Sequence, residues 1–115
     1  MIYLEGFNFF KKKREIEKLY RFISFYDASI YRDTHNQDRL STDEISKIKN
    51  SVRKTKLVVG SDGSISFNLR DVGYLIRKFN DEWYILTKHD MDNNVGNYLC
   101  DQLEGLLQCI KIEIM

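Results

Sequence analysis

Residues 72–88, with the sequence VGYLIRKFNDEWYILTK, are predicted to form two apolar strands joined at Asn80-Asp81. Asn and Asp tolerate the left-handed backbone that a two-residue hairpin turn requires. Counting outward from this turn places Arg77 opposite Tyr84. Both faces of the hairpin then carry large apolar side chains, whereas an antiparallel sheet with one face in water alternates apolar and polar residues more cleanly. Either helices cover both faces, or one face is kept for a partner.

Two further strands are predicted before this hairpin. Residues 57–59 are apolar, and apolar and polar residues alternate over residues 65–69. Asp62-Gly63 lies between these segments and is a dipeptide typical of a two-residue hairpin turn. Together with the hairpin, these strands predict a four-strand meander over residues 57–88.

Three amphipathic helices are predicted before and after the meander. Residues 11–31 carry apolar side chains at helical spacing, and residues 95–107 carry them in steps of three and four. A shorter helix is predicted to begin after Ser41, because Ser41 and Glu44 have the pattern of a capping box, in which each side chain bonds the other residue's backbone N–H.

The predicted fold class is α+β, a two-layer sandwich in a single domain of residues 1–115. Period-two alternation in residues 1–10 and 110–115 adds a strand at each end of the chain. The element order is then β-α-α-β-β-β-β-α-β, with a mainly antiparallel sheet, a central β-meander and amphipathic helices packed on one face. A chain of 115 residues is long enough to bury a core of this kind without disulfides or metals.

Composition excludes several classes of protein. A hydrophobic content of 43% and a charged content of 30% are ordinary for a folded domain and exclude a disordered chain. The formal net charge is +1, so the chain as a whole is not attracted to nucleic acid or to a membrane. The cysteines, Cys100 and Cys109, are too few for a disulfide framework and are expected to be reduced thiols. The sequence shows neither a signal-peptide pattern nor an apolar run of membrane-spanning length, so we expect a cytoplasmic protein.

Patterns for catalysis and metal binding are weak. Asp90-x-Asp92-x-Asn94 supplies oxygens at the first, third and fifth positions of a calcium loop, but Val95 stands where that loop requires glycine. A capped polar loop before a helix is the better interpretation. No phosphate-binding glycine motif occurs. We therefore expect no enzyme, no metal and no small-molecule cofactor. The His89-Asp90 pair leaves a metal-dependent hydrolase as a further alternative.

One side of the hairpin is the predicted partner-binding surface. In the counted register it holds a cation–π pair, Arg77 with Tyr84, among more apolar side chains than one helix covers. Exposed patches rich in Tyr, Phe and Arg are typical of protein interfaces. The residues of this surface are Leu75, Arg77, Phe79, Tyr84 and Leu86.

The first predicted helix adds to this excess of apolar surface, because it is apolar over more than half its circumference when Phe22 and Phe25 are counted. We expect a small intracellular, non-enzymatic binding protein that modulates a larger macromolecular partner, as adaptors, immunity proteins and phage or viral inhibitors do. The partner is expected to be another protein or a second copy of the chain. Frequent Ile, Lys, Asn and Tyr suit an AT-rich genome, phage and virus included. The motifs identify no family.

The alternative interpretation is a nucleic-acid-binding protein. Basic residues recur at spacings of three and four on the face of the first predicted helix that lies opposite its apolar stripe, and an aromatic residue ends the row. The row consists of Lys11, Arg14, Lys18, Arg21 and Phe25. Glu15 and Glu17 dilute its charge, so a solvated helix face is the simpler explanation.

Overall fold

The computed structural model of the protein describes residues 19–114. The strands are β1 (Tyr20–Ile23), β2 (Gln37–Asp38), β3 (Val58–Val59), β4 (Ile65–Leu69), β5 (Val72–Phe79), β6 (Trp83–His89) and β7 (Val95–Asp101). The helices are α1 (Phe25–Thr34), α2 (Thr42–Ser51) and α3 (Gln102–Cys109), and a π-helical segment, Ile110–Ile114, continues α3. The predicted α+β class is confirmed, with a mainly antiparallel sheet that is built around a meander.

The meander forms most of the sheet, in which the strand order is β1-β7-β6-β5-β4-β3. Strand β1 pairs with β7 at one edge, and β2 pairs with the end of β5. The meander continues beyond the four predicted strands, because β7 pairs with β6 along its whole length. None of the helices within residues 19–114 is both long and apolar enough to cross a membrane.

Left-handed residues form the tight turns of the meander. Arg70 (φ 53°) and Asp71 (φ 65°) join β4 to β5, and Asn80 (φ 52°) and Asp81 (φ 55°) join β5 to β6. Positive φ at both central residues is the backbone of a type I′ turn, whose twist matches that of the two strands. The left-handed backbone predicted at Asn80-Asp81 is confirmed.

The register of β5 and β6 differs by one residue from the predicted register. The N–H of Glu82 donates to the carbonyl of Phe79 (3.1 Å) and closes the turn. Glu82 itself has no partner in β5, because Phe79 pairs with Trp83, so the loop is one residue longer than the predicted Asn80-Asp81. Arg77 consequently lies opposite Ile85, and the predicted pairing of Arg77 with Tyr84 is wrong. A shift of one residue exchanges the two faces of a strand, because side chains alternate along it.

The larger core lies between one face of the sheet and the helices α2 and α3. Ile48 from α2, Leu106 from α3 and Ile76 from β5 are each 0% exposed in this core. Phe67 from β4 belongs to it as well, and Leu103 packs at its edge. Full burial of an aliphatic or aromatic side chain of this size contributes roughly 1.5–3 kcal/mol, so this face supplies most of the stability.

A smaller core lies on the opposite face of the sheet, under α1. Ala28 of α1 packs there with Phe79, Ile85 and Leu99 from three neighbouring strands, and Trp83 packs at the edge. The buried apolar residues therefore form two clusters, one on each face of the sheet. The prediction of helices on one face holds for α2 and α3 but not for α1, which covers one end of the second face.

Two predicted helices are strands over part of their length. Tyr20–Ile23 forms β1 inside the predicted helix 11–31, and Val95–Asp101 forms β7 inside the predicted helix 95–107. Helix α1 begins only after Ser24, whose hydroxyl accepts a hydrogen bond from a backbone N–H of the first turn (3.0 Å). A capping residue within the apolar stripe thus marks the boundary between strand and helix.

The predicted C-terminal strand is helical in the structure. Ile110–Ile114 extends α3, and its first and last isoleucines are buried whereas Ile112 is 58% exposed. Burial therefore recurs with the spacing of a helical turn and not with a period of two. The predicted first strand, residues 1–10, and the predicted helix up to residue 18 lie outside the described residues.

Candidate functional site

The residues of the predicted partner-binding surface lie on two faces of the sheet. Tyr84 and Leu86 point into the larger core, whereas Phe79 belongs to the smaller core under α1. Leu75 and Arg77 share the face of Phe79, because side chains alternate along β5. The prediction that these residues form one open surface is therefore wrong, and the additional residue in the β5–β6 turn is the cause.

Tyr84 takes part in a buried polar cluster that ties α2 to the sheet. Glu44, in the first turn of α2, accepts hydrogen bonds from the Tyr84 hydroxyl, from Lys78 Nζ (2.9 Å) and from the backbone N–H of Ser41 (2.8 Å). Lys78 also bonds Asp81 (2.8 Å). Burial acts to raise the pKa of Glu44, but the hydrogen bonds from Tyr84, Ser41 and Lys78 outweigh it and lower that pKa. The charged groups satisfy one another, so this cluster stabilises the fold.

The basic row of the alternative interpretation does not continue as one helix face. Arg21 lies on the edge strand β1, and Phe25 is the first residue of α1. The prediction that Arg21 and Phe25 belong to one row on a single helix face is therefore wrong. Lys11, Arg14 and Lys18 lie outside the described residues.

The Asp90-x-Asp92-x-Asn94 segment forms the turn between β6 and β7. The carboxylate of Asp90 accepts hydrogen bonds from the backbone N–H of Asp92 (2.9 Å) and of Asn94 (2.9 Å), and from the Asn94 side chain (3.0 Å). The bonds from Asn94 and Asp92 lower the pKa of Asp90. The predicted polar loop leads into a strand and not into a helix. Among residues 19–114, no three His, Cys, Asp or Glu side chains are grouped so that they could hold a metal ion.

Large apolar side chains are exposed where β1 meets α1. Phe22 is 64% exposed, Phe25 67%, Tyr26 72% and Ile30 42%, and we call these four residues the aromatic corner. Single exposed apolar residues are ordinary on a protein surface, but these four lie within one short stretch of the chain, where β1 passes into α1. The ring of Phe22 makes an edge-to-face contact with Tyr98 (5.5 Å between centroids), so the sheet fixes one end of the aromatic corner.

A cleft of about 470 Å³ lies beside the aromatic corner, between β1 and α1. Arg21 and Tyr31 both line it, and Arg21 Nη2 donates to the Tyr31 hydroxyl (3.3 Å). Behind it, Tyr31, His35 and Trp83 pack as a cluster with centroid distances of 5.0–5.6 Å. Because these aromatic rings support one another, the wall of the cleft is formed before any partner binds.

A polar group lies on the same face of the sheet as α1, beyond the smaller core. Arg77 Nη2 donates to Thr87 Oγ1 (3.2 Å). The Thr87 hydroxyl donates in turn to Oδ1 of the buried Asn97 (2.8 Å). Arg32 from α1 has its Nη2 bonded to Ser29 Oγ (2.8 Å).

Comparison of the chain with protein-family models, with curated proteins and with solved structures finds no match. The aromatic corner is therefore the feature from which a function is inferred. Sequence reasoning placed Phe22, Phe25, Tyr26 and Ile30 on one long helix. The signal that separates strand from helix there is Ser24, a capping residue inside that stretch.

Proposed function

We propose that this protein is a small, non-enzymatic cytoplasmic binding protein that modulates a larger protein partner through the aromatic corner. Adaptors, immunity proteins and phage or viral inhibitors belong to this class. The observation that carries the proposal is the exposure of Phe22, Phe25, Tyr26 and Ile30 at one corner of the fold. Buried aromatic side chains supply most of the binding energy at protein interfaces, and truncating one at the centre of an interface costs roughly 2 kcal/mol or more.

The charges around the aromatic corner favour a protein partner over nucleic acid. Asp27 lies in the first turn of α1 between Tyr26 and Ile30, where its carboxylate would repel phosphates. Arg21 is exposed on β1 beside the cleft, and Arg32 lies 5.9 Å from the Phe25 ring centroid; arginines beside exposed aromatic side chains are typical of protein interfaces. We therefore infer that an apolar segment of another protein binds at the aromatic corner.

Site-specific photo-crosslinking tests this proposal. A benzoylphenylalanine that replaces Tyr26 should label one specific protein in cells of the source organism. The same group in place of Met91 is the matched control, because Met91 is 76% exposed but lies in the β6–β7 turn. The variant Phe22→Ser/Phe25→Ser should abolish the labelling and lower the melting temperature only slightly, since both side chains are mostly exposed and lose only the contacts of Phe22 with Tyr98 and of Phe25 with Arg32.

Three outcomes contradict the proposal. Equal labelling from both positions would mean that Tyr26 reports only accidental collisions. Labelling that survives Phe22→Ser/Phe25→Ser would remove the aromatic corner from the contact. A crosslink between two copies of the chain would replace the partner by self-association.

A further inference from the structure

The sheet face that carries the smaller core extends beyond the residues that α1 covers. Phe79 and Ile85 pack under α1, and side chains further along β5 and β6 lie on the same face, because side chains alternate along each strand. A cavity of about 420 Å³ lies over this part of the face. Cavities of about 300–1,000 Å³ are typical of small-molecule sites. We call it the Gly73 pocket, and its lining includes Asn68, Gly73, Leu75, Thr87, His89 and Val95.

The floor of the Gly73 pocket is a gap in a row of side chains. Asn68, Gly73 and His89 lie side by side on β4, β5 and β6, and the glycine contributes no side chain between the other two. A Cβ atom on Gly73 would lie 3.4 Å from Asn68 Oδ1 and 3.7 Å from the His89 carbonyl oxygen, which are ordinary contact distances. The space over Gly73 is therefore open, and the amide of Asn68 lies at its edge.

The width of the gap suits an aromatic ring. Neighbouring strands lie about 4.8 Å apart, so the backbones of Asn68 and His89 are about 10 Å apart across Gly73. A ring midway between them lies about 5 Å from each, a separation at which aromatic rings pack. Leu75 is half-buried and Val95 is 42% exposed, so both offer apolar contacts at the sides of the pocket.

Asn68 and His89 supply polar groups on opposite sides of the gap. Both residues are exposed, so a ligand reaches them directly from solvent. An asparagine amide carries an acceptor beside a donor, and it bonds a ring edge that has the complementary pair, as adenine has. The imidazole of His89 adds an aromatic surface and a ring nitrogen. The pocket thus combines apolar contacts with polar groups that would fix the orientation of a ring.

We propose that the Gly73 pocket binds a planar aromatic heterocycle that carries a hydrogen-bond donor and an acceptor side by side on one edge, as adenine does. The ring lies over Gly73, and its polar edge bonds the amide of Asn68. Leu75 and Val95 contact its apolar parts. The site does not depend on the proposed function, because the aromatic corner contributes no residue to this pocket.

Titration of the whole protein with adenine and, separately, with purine tests the proposal, with backbone amide signals followed by NMR. Purine has the same ring system but lacks the amino donor of adenine. Adenine should give saturable shifts at Asn68, Gly73 and His89. It should bind about fivefold more tightly than purine, because purine makes one hydrogen bond fewer. The signals of the aromatic corner should not follow these shifts.

Two substitutions remove different parts of the pocket. Gly73→Val fills the gap and should abolish binding without unfolding the protein, because the added Cβ makes only ordinary contacts and valine is favoured in strands. Asn68→Ala should weaken adenine binding to about the level of purine. Gly96→Ala is the matched glycine control, because Gly96 lies on the opposite face of the sheet, where its Cβ would meet the exposed ring of Phe22 (3.3 Å). It should leave the affinity for adenine unchanged.

The proposal is overturned if adenine gives no saturable shift up to roughly 5 mM, a concentration above the Kd of weak specific ligands. It is also overturned if purine binds as tightly as adenine, or if Asn68→Ala keeps the original affinity. A folded Gly73→Val variant that still binds adenine would place the ligand elsewhere and overturn it too. If Gly73→Val does not fold, Asn68→Ala and the comparison with purine decide.

Discussion

Replacing Tyr84 with phenylalanine should destabilise the protein, because it removes the hydroxyl that donates to the buried carboxylate of Glu44. Tyr84 is 3% exposed, so water has no access to replace the lost donor. A hydrogen bond to a charged group contributes roughly 1.5–3 kcal/mol. Glu44 keeps its bonds from Lys78 (2.9 Å) and Ser41 (2.8 Å), so the expected loss in the free energy of unfolding is about 2 kcal/mol.

Urea unfolding of the Tyr84→Phe variant measures this loss, and heat unfolding should show a melting temperature lower by roughly 6–12 °C for a domain of this size. Tyr74→Phe is the matched control. Tyr74 is buried in the same core, where burial raises its pKa, and no hydrogen bond of its hydroxyl is found among the described residues. Tyr74→Phe should therefore cost clearly less than Tyr84→Phe.

The difference between the original chain and Tyr84→Phe should also depend on pH. Burial acts to raise the pKa of Glu44, but the hydrogen bonds from Tyr84 and its other partners lower it overall. A lowered carboxylate pKa adds stability above the unfolded value, and this stability is lost as the pH falls through the folded value. The effect of the substitution should therefore shrink below roughly pH 4. If Tyr84→Phe costs no more than Tyr74→Phe at neutral pH, the account of this cluster is wrong.

Three further outcomes are expected. Leu106→Ala should cost roughly 2–5 kcal/mol in urea unfolding, because Leu106 is fully buried, and the half-buried Leu103 should tolerate alanine better. Cys100 and Cys109 are buried free thiols, and a hydrogen bond with Cys109 together with burial raises the pKa of Cys100. Both should resist a thiol reagent in the folded protein and react after unfolding without reductant, whereas a native mass lower by two hydrogens would contradict free thiols. The protein should not be retained on a polyphosphate column at roughly 50 mM salt; retention whose salt slope falls by about one unit in Arg21→Ala would support the nucleic-acid interpretation.

Signals that act within a few residues were readable from the sequence. Ser41 and Glu44 form the predicted capping box, with both hydrogen bonds present. The turn at Asn80-Asp81 has the predicted left-handed backbone. In each case the residue type itself favours the local conformation, so no contact with distant parts of the chain is needed.

The helix predicted over residues 95–107 failed for a reason that lies in the spacing. Val95 and Leu99 are four residues apart, and a step of four keeps side chains on one face of a helix and also on one face of a strand. Pairing with β6 decides for the strand up to Asp101, and α3 begins at the next residue. Only the pairing of this segment with β6 distinguishes a strand from a helix here, and that pairing cannot be read from the local sequence.

The predicted and the observed surfaces differ because the hairpin register and the break between β1 and α1 both depend on such pairings. A single additional residue, Glu82, exchanged the faces of β6 and removed the predicted open surface. The aromatic corner required the break at Ser24, which a continuous apolar stripe concealed.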